Sequence, residues 1–273
     1  MHLNTLKCGF EHVRGVNLKI CECEGESKAT LIFLHGCPGQ ISNWKYQLEY
    51  FCGAYHCIVY DQRGYGESEK PRSVTFEDYI EDLATILDER GISNPVLIGH
   101  SFGAAVAQLY ARDNEVKGLV LIGSLIRWKR GLIDILIDKL PPLLWRRLLF
   151  TMNPLTIRLY RKMFFSPETP DEVFQEFVKD NADYISNLPP HVLRYEKYFS
   201  KYDASEWLNK IKTPTLIIVG EDDAVTPPEH SIEIHQKIEN SRLEIVEKAG
   251  HLILYEKPRE LNSLIEEYLK TLK

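Results

Sequence analysis

The sequence predicts an α/β fold with one mostly parallel sheet, covered by helices on both faces and interrupted by a helical insertion. Two observations lead to this fold class. Short apolar runs such as "ATLIFLHG" and "VKGLVLIGS" alternate with segments of helical periodicity, which indicates β-α-β units. Between residues 125 and 209 this alternation stops, and the chain there has a helical pattern with several proline breaks.

The first half of the predicted sheet begins with a hairpin. Its two strands are "LKCGFEHV" and "VNLKICECEG", separated by Arg14-Gly15. The strand "ATLIFLHG" follows, then a helix from about 42 to 51 and the strand "HCIVYDQRG". A further helix is predicted at 75–91, because Thr75 and Asp78 have the spacing of a capping box and Gly91 is typical of a helix end.

The second half repeats the strand and helix alternation around the insertion. "PVLIGHS" leads into an apolar helix, and "VKGLVLIGS" is the last strand before residue 125. After the insertion, "TPTLIIVGEDD" and "RLEIVEKAGH" are strands, each followed by a helix. We therefore expect an eight-stranded sheet in a core of residues 1–124 and 210–273, with residues 125–209 forming a helical cap.

Composition narrows the class of protein. The chain has 273 residues, 44% of them apolar and 26% charged, as is usual for a soluble globular protein. A net charge of −6 argues against a nucleic-acid partner. The first residues, "MHLNTLKCGFEHVRG", hold no apolar segment of a signal peptide, and no run is long enough to span a membrane, so we expect a cytoplasmic protein.

The cysteines are expected to be reduced thiols, as is usual in a cytosolic protein. All six lie within the first 57 residues. Cys21 and Cys23 form a C-x-C pair, but a metal site needs a second pair of ligands that the sequence does not offer nearby. We therefore expect neither a metal ion nor another cofactor.

The segment "GHSFG" at 99–103 places Ser101 at a turn from an apolar strand into an apolar helix. Small residues two positions before and after a serine permit a turn sharp enough to expose its hydroxyl. The N-terminus of the following helix would then lie near a developing oxyanion. Ser101 is therefore the candidate nucleophile.

A serine nucleophile needs a base, and the base needs an acid that orients it. His251 follows the last predicted strand, and "GEDDAVTPPE" follows the strand before it. Both segments lie at the carboxyl edge of the sheet, where catalytic groups of open α/β sheets gather. Asp222 and Asp223 are both chemically suitable, and the position of Asp223, three residues after Gly220, favours Asp223.

An oxyanion hole is expected beside the serine. One donor is the backbone N–H of Phe102, the residue that follows the nucleophile. The second should come from the loop "HGCPGQ", where Cys37 is the candidate because Pro38 has no N–H.

These motifs resemble the α/β-hydrolase superfamily along the whole chain. The matching segments are "HGCPG", "DQRGYGES", "GHSFGA", "GEDDAVTPP" and "AGHLILYEKPRELNSLI". The first two are similar, more narrowly, to the branch of proline iminopeptidases and monoglyceride lipases. Cys37 and Phe102 depart from the iminopeptidases, which usually carry glycine and tryptophan there. A serine at 101 argues against the dehalogenase and epoxide-hydrolase branches, whose nucleophile is aspartate.

The resemblance implies a serine hydrolase, and the apolar cap favours a small-molecule carboxylic ester as its substrate. One alternative is a proline iminopeptidase-like aminopeptidase, which would need a carboxylate to hold the substrate ammonium. The acidic residues of the cap that could do so are Glu168, Asp171, Glu172 and Glu176. A second alternative is a ligand receptor that keeps the triad on a hydrolase scaffold and turns over slowly.

The remaining candidate functional residues are explained by structural roles. Asp61 and Arg63 of "DQRGYGES", together with His35 and His100, are expected to form structural hydrogen bonds. Between residues 127 and 162 the cap carries nine lysines and arginines against two aspartates. A pocket-lining apolar face with a solvated basic face explains this pattern, and contact with an anionic membrane surface is the weaker alternative.

Overall fold

Eight strands form one sheet in the computed structural model, which describes residues 6–128, 151, 153–195 and 199–272. Their order across the sheet is 1-2-4-3-5-6-7-8. The first strand pairs antiparallel with the second and the second antiparallel with the fourth, whereas all other neighbours are parallel. The strands are β1 (Lys7–Val13), β2 (Val16–Cys23), β3 (Gly25–Leu34), β4 (Gly53–Tyr60), β5 (Val96–His100), β6 (Gly118–Ile122), β7 (Thr215–Gly220) and β8 (Ser241–Val246).

The α-helices of the described residues connect these strands and fill the insertion. A 3₁₀ turn, Ile41–Trp44, precedes the first of them, so the helix predicted from about 42 begins with a tighter turn. The helices are α1 (Lys45–Phe51), α2 (Phe76–Glu89), α3 (Phe102–Asp113), α4 (Pro154–Phe164), α5 (Asp171–Asn187), α6 (Pro228–Lys237), α7 (Ile253–Glu256) and α8 (Pro258–Thr271). The predicted fold class, a mostly parallel eight-stranded sheet with helices, is confirmed.

Both faces of the central strands are buried. Along β3, Leu31 and Phe33 belong to one apolar cluster, while Ile32 and Leu34 belong to the cluster on the other face. Side chains alternate between the two faces of a strand, so a strand covered on both sides must be apolar throughout. This is why the central strands appear in the sequence as unbroken apolar runs.

The ends of α2 follow the local sequence. The Asp78 N–H donates to the Thr75 hydroxyl at 3.2 Å, and the Thr75 N–H donates to the Asp78 carboxylate at 2.8 Å. This is the predicted capping box, and it satisfies donors that a helix start leaves without partners. Gly91 has a φ of 64°, the left-handed conformation in which a glycine ends a helix.

The insertion between β6 and β7 contains α4 and α5. Among the described residues of the insertion, Arg127 and Asp203 also form an isolated antiparallel β-bridge. The division into a core and a cap at residues 125–209 stays a prediction. Residues 129–150, which carry most of the basic stretch and with it the alternative of membrane contact, lie outside the described residues. Among the described residues, no helix is both long and apolar enough to cross a bilayer.

Four of the cysteines form disulfides, so the expectation of reduced thiols is wrong for them. Cys8 is bonded to Cys21, its direct partner in the β1–β2 ladder, and Cys23 is bonded to Cys52 at the end of α1. Cys37 and Cys57 are not part of a disulfide. Disulfides are uncommon in reducing compartments, and the cytoplasmic location expected from the sequence stays a prediction.

Candidate active site

Ser101 lies at the turn between β5 and α3 in a strained backbone conformation. Its φ is 53° and its ψ is −116°, a region that residues other than glycine rarely adopt. A Cβ on Gly103 would lie 2.1 Å from the Leu34 carbonyl oxygen, and one on Gly99 would lie 2.5 Å from the Gly103 carbonyl oxygen. Both glycines are therefore required, because β3, β5 and α3 approach one another closely at this turn.

The side chain after the serine anchors the turn in the core. Phe102 is 1% exposed and packs against the rings of Phe199 and Tyr79, with centroids 4.5 and 4.9 Å away. Its side chain therefore has a packing role, and only its backbone N–H is suited to the oxyanion role predicted from the sequence.

His251 and Asp223 form a buried pair after β8 and β7. The Nδ1 of His251 lies 2.8 Å from Oδ2 of Asp223. Burial by itself raises the pKa of Asp223, but the charge and hydrogen bond of His251, with the donors of Thr226, outweigh burial and hold this pKa below its usual value. An ionised Asp223 keeps the proton of His251 on Nδ1, which leaves Nε2 as the basic nitrogen.

Thr226 is a supporting residue that the sequence analysis missed. Its hydroxyl donates to Oδ2 of Asp223 at 2.9 Å, and its N–H donates to Oδ1 at 2.8 Å. The N–H of Val225 donates to the same Oδ1 at 2.9 Å. The spacing D-x-x-T in "DAVT" is the signal that could have identified it, since aspartate commonly accepts from backbone N–H groups two or three residues ahead.

Asp222 has a different environment from its neighbour. Its Oδ2 accepts a hydrogen bond from the Ser166 hydroxyl at 2.5 Å, and the residue is exposed. The structure therefore pairs His251 with Asp223, the residue that the sequence favoured of the two.

His35 and His100 support the site through backbone groups. Burial lowers the pKa of His35 to about 4 and that of His100 to about 3, so both rings are neutral near pH 7. The Nε2 of His100 donates to the His251 carbonyl at 2.9 Å. His35 accepts the Gln62 N–H at Nε2 and therefore donates from Nδ1 to the Gly36 carbonyl, 2.7 Å away.

A cavity of about 450 Å³ brings most of the predicted site residues together. Cys37, Ser101, Phe102 and His251 all line it, and Asp223 contacts it through His251. This volume is within the range of small-molecule sites. The side that α4 and α5 contribute is mostly apolar, and its lining residues are Tyr160, Met163, Phe164, Phe177 and Ile185.

The loop that carries Cys37 passes directly beside the serine. A Cβ on Gly36 would lie 3.2 Å from the Cβ of Ser101 and 3.1 Å from Nδ1 of His100. Only glycine permits this close approach without displacement of its neighbours. The Sγ of Cys37 lies 2.8 Å from the Tyr65 hydroxyl, so the thiol contacts the loop after β4.

The described lining of the cavity contains basic side chains but no acidic ones. Its described lining residues include Arg127 and His230 but no aspartate or glutamate. The cap carboxylates that the sequence offered for an ammonium ion lie elsewhere. Three of them form ion pairs outside the lining: Glu168 with Lys248 at 3.1 Å, Asp171 with Arg161 at 3.8 Å and Glu176 with Lys45 at 2.6 Å; Glu172 is exposed.

Asp61 and Arg63 hold loops together, and neither is among the described residues that line the cavity. Arg63 forms a two-point ion pair with Asp82. The two carboxylate oxygens of Asp61 accept the N–H groups of Ile41 and Glu67, each at 2.7 Å. Asp61 therefore connects the loop after β3 to the loop after β4.

Asp61 gives a testable pH dependence of stability. Burial raises the pKa of its carboxyl to about 6, above the ordinary 3.8. Between these pH values the native state keeps a proton that the unfolded chain releases, so this group's contribution to stability falls as pH rises from about 4 to 6. Relative to Asp61→Asn, the free energy of unfolding of the wild type should fall by up to about 3 kcal/mol over that range.

Urea unfolding of both proteins at several pH values from about 4 to about 7 measures this difference. The asparagine variant loses a hydrogen-bond acceptor at every pH, which shifts its stability by a constant amount. The prediction therefore concerns how the difference in unfolding free energy changes with pH, and not its absolute size. A difference that stays constant across the range would contradict it.

Two clusters in the described residues have ligand types that bind metals. Cys23, Cys52 and Cys57 have their sulfurs within 4.8 Å of one another, but two of these are joined in a disulfide. In the second cluster, Glu22, Glu24 and His56, the Glu22 carboxylate is occupied by His56 and Arg90. None of these residues lines the cavity.

Comparison with known proteins decides the family. The sequence profile of the alpha/beta hydrolase fold family matches residues 29–258. The chain belongs to the α/β-hydrolase family. A proline iminopeptidase of Thermoplasma volcanium is similar to it, with 28% identity over an alignment of 291 positions that covers 98% of each chain.

Solved structures of esterases share the fold of this α/β-hydrolase. An esterase from Exiguobacterium antarcticum superposes with a TM-score of 0.82 at 23% identity, covering 97% of this chain and 100% of the esterase. A thermophilic esterase from Thermogutta terrifontis gives a TM-score of 0.80 at 23% identity, covering 97% of this chain and 99% of the other. The superfamily resemblance inferred from the motifs is confirmed.

Proposed function

We propose that this α/β-hydrolase cleaves a small-molecule carboxylic ester through an acyl-enzyme formed on Ser101. The observation that carries the proposal is the cavity of about 450 Å³. It is lined by Ser101, by His251, which is hydrogen-bonded to Asp223, and by apolar side chains of α4 and α5. An apolar wall suits an acyl chain, and the described lining offers no carboxylate for a positively charged substrate.

The proposed reaction has two steps that use the same groups. The Oγ of Ser101 attacks the acyl carbonyl while Nε2 of His251 takes its proton, and ionised Asp223 stabilises the imidazolium. The N–H groups of Cys37 and Phe102 donate to the oxyanion of the tetrahedral intermediate. Its collapse releases the alcohol, which receives the proton from His251. Water then attacks the acyl-enzyme while His251 takes its proton; the bond between the acyl carbon and Oγ breaks, Ser101 receives the proton from His251, and the carboxylic acid is released.

An aminopeptidase is the second candidate, favoured by the similarity to the Thermoplasma volcanium iminopeptidase over 98% of both chains. That reaction uses the same triad but must also bind a substrate ammonium. Binding a cation in a partly desolvated cavity without a carboxylate is costly. The carboxylates considered for this role pair with Lys248, Arg161 and Lys45 outside the lining, which favours the ester.

Ester hydrolysis is tested with p-nitrophenyl acetate, butyrate and octanoate beside proline p-nitroanilide. We expect turnover of the esters, and a loss of about 10⁴-fold or more in kcat for Ser101→Ala, because the nucleophile is removed. Ser263→Ala, an exposed serine on α8, is the matched control and should keep full activity. Cleavage of the anilide alone would establish the aminopeptidase instead, and a single burst without turnover would establish the slow receptor.

A further inference from the structure

The outer side of the loop beside Ser101 is bonded to the insertion. We call residues 36–40 the oxyanion loop. The hydroxyl of Tyr184, on α5, donates to the Gly39 carbonyl at 2.8 Å. The side-chain amide of Gln40 donates to Oδ1 of Asn181 at 3.2 Å and to the Asp180 carbonyl at 3.1 Å. Three hydrogen bonds therefore join this loop to a helix more than 130 residues further along the chain.

The oxyanion loop is also bonded to the 3₁₀ turn that follows it, Ile41–Trp44. The Gln40 N–H donates to the side-chain oxygen of Asn43 at 2.9 Å. Asn43 in turn donates to Oδ1 of Asn181 at 3.1 Å, so Asn181 accepts from both residues. Asn181 is 2% exposed, and buried amides of this kind are costly to leave without partners. Asn181 therefore links α5 to both the oxyanion loop and the turn that follows it.

One face of α5 serves both the cavity and the oxyanion loop. Phe177, Asn181 and Tyr184 follow one another at spacings of four and three, which places them on the same side of a helix. Phe177 lines the cavity, as does Ile185, the residue after Tyr184. The helix that forms part of the acyl-binding wall is therefore also the helix that contacts the loop with the predicted oxyanion donor.

We propose that Tyr184 and Asn181 are positioning residues, which hold the Cys37 N–H where the oxyanion forms; this inference rests on the proposed ester hydrolysis. Cys37 and Pro38 lie between Gly36 and Gly39, and glycine gives a loop large conformational freedom. An oxyanion donor acts only when it is fixed in place before the charge develops. Burial raises the pKa of Tyr184 well above its usual value, so its hydroxyl remains a donor at any working pH.

The experiment compares Tyr184→Phe with Tyr46→Phe. The hydroxyl of Tyr46, on α1, also bonds to α5, where it donates to Glu176 at 2.6 Å, but its hydrogen-bond partners among the described residues do not include the oxyanion loop. Loss of a whole oxyanion donor costs about 10²–10³ in kcat, so loosening one should cost about 10-fold. For Tyr184→Phe we expect this loss in kcat, with KM changed by no more than about twofold. Inhibition by a trifluoromethyl ketone, whose adduct carries the oxyanion, should weaken by the same factor as kcat. Tyr46→Phe should change these values little.

Hydrogen exchange separates this inference from the proposed function. Amides of the oxyanion loop should exchange faster in Tyr184→Phe than in the wild type or in Tyr46→Phe, whatever the substrate is. A wild type without ester turnover would end the proposed function, and the exchange rates alone would then decide the positioning. Equal kinetics and equal exchange in the two variants would overturn the inference, because α5 would then act only by general packing.

Discussion

Asp223→Asn should lower kcat for ester hydrolysis by about 10⁴-fold while the protein remains folded. The asparagine side chain is nearly isosteric, but it carries no charge to stabilise the imidazolium of His251. Its amide would also face Nδ1 of His251 as a donor, which favours the tautomer that has the proton on Nε2. The base would then be unable to take the proton of Ser101.

Asp222→Asn is the matched control for this substitution. Asp222 is exposed and accepts from the Ser166 hydroxyl, so its neutralisation should change kcat less than about twofold. Steady-state rates on p-nitrophenyl butyrate, with circular dichroism as a check of folding, measure both variants. A larger loss for Asp222→Asn than for Asp223→Asn would refute the assignment of the acid.

Gly103→Ala should destabilise the whole fold. Its Cβ would lie 2.1 Å from the Leu34 carbonyl oxygen and 2.7 Å from the His35 carbonyl oxygen, both backbone atoms at the carboxyl end of β3. Backbone atoms inside a sheet cannot move aside as a flexible side chain can. We expect a fall of about 3 kcal/mol or more in the free energy of unfolding.

Gly9→Ala is the control, because a Cβ at Gly9, in β1, meets nothing within 4 Å. Its effect on stability should remain within about 0.5 kcal/mol. Urea unfolding followed by circular dichroism measures both variants. Equal midpoints for the two proteins would show that the turn at Ser101 tolerates a methyl group and would contradict the contact argument.

The sequence was sufficient for the sheet and for the pairing of His251 with Asp223. Parallel strands covered on both faces must be apolar along their length, as Leu31–Leu34 is, so the strands could be recognised without tertiary information. The ends of such strands meet at one edge of the sheet. That rule alone placed the segments with Ser101, Asp223 and His251 around one cavity.

Contacts that depend on tertiary registration could not be predicted. Tyr184 and Gly39 are 145 positions apart, and no local pattern indicates that α5 meets the oxyanion loop. The 3₁₀ turn before α1 differs from an α-helix by one hydrogen-bond step, which apolar spacing over a few residues does not resolve. The Cys8–Cys21 bond follows from the register of the β1–β2 pair, and a hairpin pattern alone leaves that register open.

The two disulfides change the unfolded chain more than the native one. They close loops of 13 and 29 residues at the N-terminal end, and such closures remove conformational entropy from the unfolded ensemble. Much of this stretch precedes residue 29, where the match to the family begins. β1 is also an outer strand, whose unpaired backbone groups are a template for association with other chains. Cys8 is bonded to β2, and Cys23 of β2 is bonded to Cys52 directly after α1, so two covalent bonds link this outer strand to the rest of the fold.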